Sequence, residues 1–376
     1  MNRIMTMTRR EALGVFGLLA TVRWRLGGTE VSNEMAALPG DVTWHNVAAI
    51  EAAPEGDGWR LSRLPETLRE AVNPQARRRA FSPAGVEWRF NFTGDEARIV
   101  LKFIESDRGE PARGLPVLAE IYFGDRLARC EVVGTEWTEI VIKRPKNAAA
   151  LAAAARSQPG RFDPELVRVV LPYIPEVRVR GIEGAFTAAR PEQLPRRRYL
   201  AYGSSITNGA FAARPGDLYP ARVAAALGVD GINLGFGGGA WLEPEMADWI
   251  ASRDDWDFAT LEMGINLTSR MTPEEFRAQV ANFLPRIARA HADKWIFCID
   301  LFTGRGDFSS KSNFPAFREI VREAVRELDL PRLVHLDGRE LLTRESGLTA
   351  DLLHPSSDGF VEIAERLTAA MRARLG

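Results

Sequence analysis

Hydrophobic positions along the chain fall into two textures that change near residue 192. Before it they alternate with polar residues in short runs, at 86–92, 97–104, 117–123, 137–142, 167–171 and 177–179, separated by Gly, Pro, Asp and Asn. Alternation at a period of two, broken by turn formers, predicts strands that bury one face. Their spacing predicts an all-β sandwich over 36–192. One helix is expected at 147–156, where an alanine-rich run has high helix propensity.

Past Pro191 and Pro195 the pattern is different: short apolar strands at 198–202, 229–234, 258–263, 295–299 and 333–336 alternate with amphipathic stretches at 218–227, 244–250, 273–291, 314–328 and 359–375. The third stretch opens Thr272-Pro273-Glu274-Glu275, with a capping hydroxyl, a proline in the first turn and acidic residues at the positive end of the helix dipole. Five strands alternating with helices predict a parallel, doubly wound α/β domain over 196–376. Functional residues are then expected just beyond the C-terminal ends of the strands.

Composition narrows the classes. A 45% hydrophobic and 26% charged chain of 376 residues is ordinary for globular domains, and 49 basic against 50 acidic residues give no footprint for a nucleic-acid partner. The arginine triplets 77–79 and 196–198 read as solvated faces. Cys130 and Cys298 are too far apart for a disulfide framework or a CxxC metal site, and both read as packing residues. The first 35 residues form an extension or an export signal: Arg9-Arg10 and the apolar run 12–22 are similar to a twin-arginine signal, but Arg23 and Arg25 follow the run and no A-x-A site does. The cytoplasmic reading is kept ahead of export. That run is shorter than the roughly 20 residues of a membrane span, and no stable membrane insertion is expected.

Four segments carry candidate chemistry. Gly203-Ser204-Ser205 follows the first α/β strand, where a serine can expose its hydroxyl while its own N–H points into the same site; a turn or helix cap is the plainer alternative. Phe236-Gly237-Gly238-Gly239-Ala240 follows the second strand, and its bare backbone N–H groups suit an oxyanion or a phosphate. The phosphate reading is a dinucleotide fingerprint, Gly235-x-Gly237-x-x-Ala240 with Glu262 downstream, but the residues before Pro244 delay the helix that should receive the pyrophosphate. Asn266 ends the third strand and can donate its amide to an oxyanion or close an Asx-turn. Asp351 and His354 share one turn before the last helix, so the carboxylate can hold Nδ1–H and leave Nε2 as base, or cap a local turn. The segment 302–310 reads as a connection, with pocket lining as its alternative.

In this order, the four segments resemble the GDSL-like, or SGNH, family of esterases and acyltransferases. Ser205 matches the signature serine, Gly238 the glycine of the second block, Asn266 the asparagine of the third, and Asp351 and His354 the closing D-x-x-H. The resemblance covers 196–376 and implies a flavodoxin-like domain with a parallel five-stranded sheet. It also implies a Ser205–His354–Asp351 triad and an oxyanion hole from Ser205, Gly238 and Asn266. For the N-terminal half the likeness is architectural, since some members carry a jelly-roll-like β domain before the catalytic one. Ser204 stands where the family usually has aspartate, and Gly237 where many members have serine, which leaves Gly237 and Gly238 both open as donors. The expected function is a carboxylic ester hydrolase working through an acyl-enzyme on an O-acylated carbohydrate or another small acyl ester. An acyltransferase to a small-molecule hydroxyl and a non-catalytic carbohydrate-binding protein are the alternatives. No metal or organic cofactor is implied.

Overall fold

The computed structural model describes residues 23–26, 29–32, 42–107, 114–157 and 161–376. Arg9, Arg10 and the apolar run behind them lie outside the described residues. Within the N-terminal 35 residues, β1 (Arg23–Leu26) and β2 (Thr29–Ser32) pair antiparallel.

The β domain runs β3 (Thr43–His45), β4 (Ala49–Ala52), β5 (Trp59–Ser62), helices α1 (Glu66–Ala71) and α2 (Pro74–Arg79), β6 (Glu87–Phe103), β7 (Leu118–Phe123), β8 (Arg126–Val132), β9 (Thr138–Lys143), helix α3 (Ala148–Ala155), β10 (Val167–Val170) and β11 (Val177–Ala188). These strands form one nine-stranded antiparallel sheet in the order β4-β5-β11-β6-β10-β7-β8, with β3 and β9 also paired to β6. The two strands expected at 86–92 and 97–104 are a single one. Its first half pairs with β10 at Glu87–Phe90 and its second with β9 at Glu96–Leu101, so the polar stretch between them stays extended while the partner changes. Trp88, Phe90, Ile99, Leu101, Ile121, Ile140 and Val169 close one core between these strands.

The second half is the α/β domain. Strands β12 (Arg198–Gly203), β13 (Asp230–Gly235), β14 (Phe258–Glu262), β15 (Trp295–Ile299) and β16 (Leu333–Leu336) alternate with α4 (Ser205–Asn208), α5 (Tyr219–Leu227), α6 (Pro244–Ala251), α7 (Pro273–Ala290), α8 (Phe314–Leu328), α9 (Gly338–Leu341) and α10 (Ser357–Leu375). All pairings are parallel and the order is β13-β12-β14-β15-β16. Successive strands are added to one side of β12 (β13) and then to the other (β14 to β16), and this switch opens a crevice at the C-terminal ends of β12 and β14. One face of the sheet is covered by α6, α7 and α8, the other by α5 and α10. The start of α7 carries the expected cap, Thr272, which also forms a capping box with Glu275.

The two halves are joined without a loose seam. Leu64, Leu68, Val72, Ala76 and Ala80, from the α1–α2 segment, belong to the same apolar cluster as α6 and α7. Buried Arg63 donates to the carbonyls of Ser82, Arg79, Asn233 and Gly235, tying this segment to the end of β13. At the start of β13, Arg89 and Asp230 form a bidentate pair at 2.8 and 2.7 Å with both side chains 2% exposed or less. Glu87 bridges Arg89 and Arg168, and His45 Nε2 lies 2.6 Å from the Gly231 carbonyl oxygen. Burial works against the Asp230 charge, but Arg89 outweighs it and brings the carboxyl down to about 2. Asp230 therefore stabilises the fold above the unfolded carboxylate range, near pH 4, and that contribution is lost as pH falls toward about 2. Asp230→Asn is expected to cost about 3–5 kcal/mol in urea unfolding at neutral pH, and the loss of stability between pH 4 and 2 should be shallower in the variant than in the native chain.

Candidate active site

The crevice at β12 and β14 collects the segments singled out in the sequence. Gly203 ends β12 with no room for a side chain: a Cβ there would lie 2.2 Å from Thr207 Oγ1 and 2.4 Å from Glu262 Oε2. Ser204 then caps the short helix α4, its Oγ accepting the Ile206 N–H at 3.1 Å. Beneath the turn, buried Glu262 accepts the Ser204 N–H at 2.6 Å and the Thr207 hydroxyl at 2.9 Å, and the Tyr219 and Thr207 hydroxyls share a hydrogen bond. Burial pushes the Glu262 carboxyl up, against the pull of those donors. Glu262 is therefore committed to the turn that presents Ser205, and it is 2% exposed, out of reach of a ribose. The dinucleotide reading fails on this residue and on the late start of α6.

Ser205 Oγ lies 2.8 Å from His354 Nε2, and His354 Nδ1 lies 2.6 Å from Asp351 Oδ2. Three further donors, the N–H groups of Leu353 and His354 and the Thr349 hydroxyl, converge on Asp351 Oδ1. Partial burial disfavours the Asp351 charge, yet the bonds from His354, Thr349 and Leu353 prevail and hold its carboxyl at about 2. Asp351 is thus an anion at working pH that fixes Nδ1 as the protonated nitrogen and leaves Nε2 to face the serine. The segment 302–310 is not a free connection. Its Arg305 N–H donates to the Leu352 carbonyl at 2.5 Å and so braces the Asp351 turn.

The other three histidines are placed differently. His45 sits in the interface between the halves and His291 packs on Trp256 at the end of α7. His335 Nε2 pairs with Asp300 at 2.8 Å, and among the described residues no hydroxyl is hydrogen-bonded to that ring.

Donors for an oxyanion surround Ser205. Among the described residues its own N–H, at the first turn of α4, has no acceptor, and neither does the N–H of Gly238. Gly238 adopts φ 72°, the left-handed region that favours glycine, and its carbonyl is held by Trp241 Nε1 at 2.8 Å. Asn266 Oδ1 accepts the Ala240 N–H at 3.1 Å, which turns its Nδ2 into the available donor. The structure therefore brings Ser205, Gly238, Asn266, Asp351 and His354 to one place. Sequence reasoning missed Thr207, Tyr219 and Thr349, which act through Glu262 and Asp351, and gave no signal for them because each is a lone hydroxyl without a motif.

Such a constellation suits acyl transfer: a hydroxyl with a base, an orienting anion and three unengaged donors on the segments around it. Asn266→Ala should lower kcat for an ester substrate on the order of a hundredfold to a thousandfold with the fold intact by circular dichroism. Ser204→Ala should instead cost about 1 kcal/mol of stability through the lost cap and leave turnover largely in place.

Residues 196–372 match the model of the GDSL-like lipase/acylhydrolase family. No curated protein sequence matches the chain. Among solved structures, the fold is similar to a salicylyl-acyltransferase from a tetracycline biosynthetic pathway, at 19% identity and a TM-score of 0.73, covering 90% of this chain and 96% of that one. It is similar to a protein of Bacteroides ovatus assigned as a GDSL-like lipase, at 21% identity and TM-score 0.66, over 89% and 98% of the two chains. It is also similar to a family two carbohydrate esterase from Clostridium thermocellum, solved with cellohexaose, at 18% identity and TM-score 0.53, over 77% and 92%. At these identities the likeness carries the fold, and it extends over both halves of the chain.

Proposed function

We propose that this chain, whose residues 196–372 carry a domain of the GDSL-like lipase/acylhydrolase family, is a serine esterase acting through an acyl-enzyme. The observation that carries the reading is the continuous hydrogen-bonded chain from Ser205 Oγ through His354 to Asp351. His354 Nε2 takes the Ser205 proton as Oγ attacks the ester carbonyl. The tetrahedral oxyanion is held by the N–H groups of Ser205 and Gly238 and by Asn266 Nδ2. As the intermediate collapses, the C–O bond to the alcohol breaks and His354 returns the proton to the leaving oxygen. Water then repeats the attack, with His354 as base, and releases the acid.

The substrate class in this reading is an O-acylated carbohydrate or another small acyl ester, by analogy with the carbohydrate esterase that shares the two-part fold. A second reading is favoured by the likeness to an acyltransferase over 90% of the chain: a small-molecule hydroxyl replaces water in the second half-reaction. Triad chemistry is the same in both, and access of water to the acyl-enzyme decides between them.

A fluorophosphonate probe should label the folded protein at Ser205 and fail on Ser205→Ala and His354→Ala; labelling that persists without Ser205 would refute the nucleophile. With labelling established, a panel of 4-nitrophenyl esters and acetylated sugars, run with and without added alcohol, reads the substrate and the partition between hydrolysis and transfer.

A further inference from the structure

Ser205 has a charged neighbour that comes from the other half of the chain. Arg79 ends α2, and that helix is seated directly on the glycine loop. Asn73 Nδ2 donates to the Gly239 carbonyl at 2.9 Å, and a Cβ on Gly239 would lie 2.5 Å from the Ala76 backbone nitrogen. Arg79 Nη1 donates to the Asp107 carbonyl at 3.1 Å and to its carboxylate at 3.3 Å. Nε is withdrawn from solvent with no hydrogen-bond partner among the described residues, and none of these reaches Nη2. That unpaired edge of the guanidinium is the one that grips a carboxylate by two parallel bonds.

The edge lies beside the reaction centre. A Cβ built on Gly237 would stand 3.7 Å from Arg79 Nε and 3.7 Å from Ser205 Cβ, so guanidinium and serine border the same side-chain-free position of the loop. The surroundings are short of negative charge. Arg63, Arg78 and Arg79 lie together, and Asp107 is the one carboxylate among the described residues that hydrogen-bonds any of them; Arg63 rests on carbonyl oxygens and the face of Phe236. Glu243, the other acid at α2, is engaged by Asn73 at the opposite end of that helix. Burial lowers the Arg79 pKa, opposed by Asp107 and assisted by Arg78, the signature of a cation whose charge is incompletely matched.

We propose that Arg79 is a substrate-recognition residue for a carboxylate carried by the ester itself, a few bonds from the scissile carbonyl, which makes the enzyme selective for acidic esters over neutral ones. The proposal rests on Ser205 as nucleophile and deepens that reading by naming a substrate feature. The carboxylate can belong to the acyl group or to the leaving alcohol, and two substrate pairs separate these sources: mono-4-nitrophenyl glutarate against 4-nitrophenyl pentanoate, and 3-acetoxybenzoate against its methyl ester.

In one of the two pairs, Arg79→Met should lower kcat/KM for the acidic member about tenfold to a hundredfold while the neutral member stays within about threefold. Arg79→Lys, which keeps the charge without the two-toothed edge, should fall between. Equal losses on both members of each pair, or no change on either acidic member, overturn the proposal. Ser205→Ala protein separates it from the underlying mechanism: in calorimetry it should bind monomethyl glutarate or 3-hydroxybenzoate about tenfold more tightly than the Ser205→Ala, Arg79→Met protein. Equal binding of both ligands by the two proteins sinks the Arg79 assignment whatever happens to turnover, whereas full turnover by Ser205→Ala sinks the nucleophile.

Discussion

Arg89 and Asp230, both removed from water, hold their charges in each other's company, and that pairing locks the two halves of the chain into one body. A buried carboxylate or guanidinium left alone is far costlier than the same group paired. The pair is bidentate, which fixes direction as well as distance, and Glu87 with Arg168 extends it into the β domain. An apolar contact of the same area would tolerate sliding. This one sets where β13 begins relative to β6, and therefore where the glycine loop at the far end of β13 stands relative to α2.

From that register the site follows. β13 abuts the helix that starts at Ser205: a Cβ on Gly235 would lie 2.1 Å from the Asn208 backbone nitrogen, so the strand and α4 are in direct backbone contact. Arg63 closes the same region from the other side through the carbonyls of Asn233 and Gly235. Burial and the nearby charge of Arg79 bring Arg63 down to about 9, which leaves it cationic at neutral pH, and its charge is met by carbonyl dipoles and the face of Phe236. The glycine loop is thus braced by the β domain, and α1–α2 serve as part of the α/β core although they lie between two strands of the other domain.

Much of this was legible in the sequence where local pattern and local chemistry agree. The five parallel strands alternate with amphipathic helices, and each candidate residue of the site lies just past a strand or before the last helix, positions that a parallel sheet gathers automatically. Two features of the β domain were not legible for a local reason. β8 is an edge strand with exposed Arg126, Leu127 and Ala128, so no alternation marks it, and β11 runs on to Ala188 through bulges at Gly181 and Gly184 that mask its period. α1 and α2 escaped because six-residue helices carry too few turns for a helical stripe to emerge.

What sequence could not offer was partnership across distance. Arg63, Arg79 and Arg89 look alike along the chain, three arginines among 49 basic residues. Folding gives them three different situations: Arg89 meets a carboxylate edge to edge, Arg63 meets four carbonyls, and Arg79 meets Asp107 with one nitrogen only. The first two are complete, and their completeness is structural, since no ligand could improve on it. The third is incomplete beside Ser205, at a position where the loop carries glycine and the helix that bears the arginine is pinned at its opposite end. A cation held rigidly with its gripping edge unpaired costs stability in the free protein, and a carboxylate-bearing substrate is the partner that would recover it during binding.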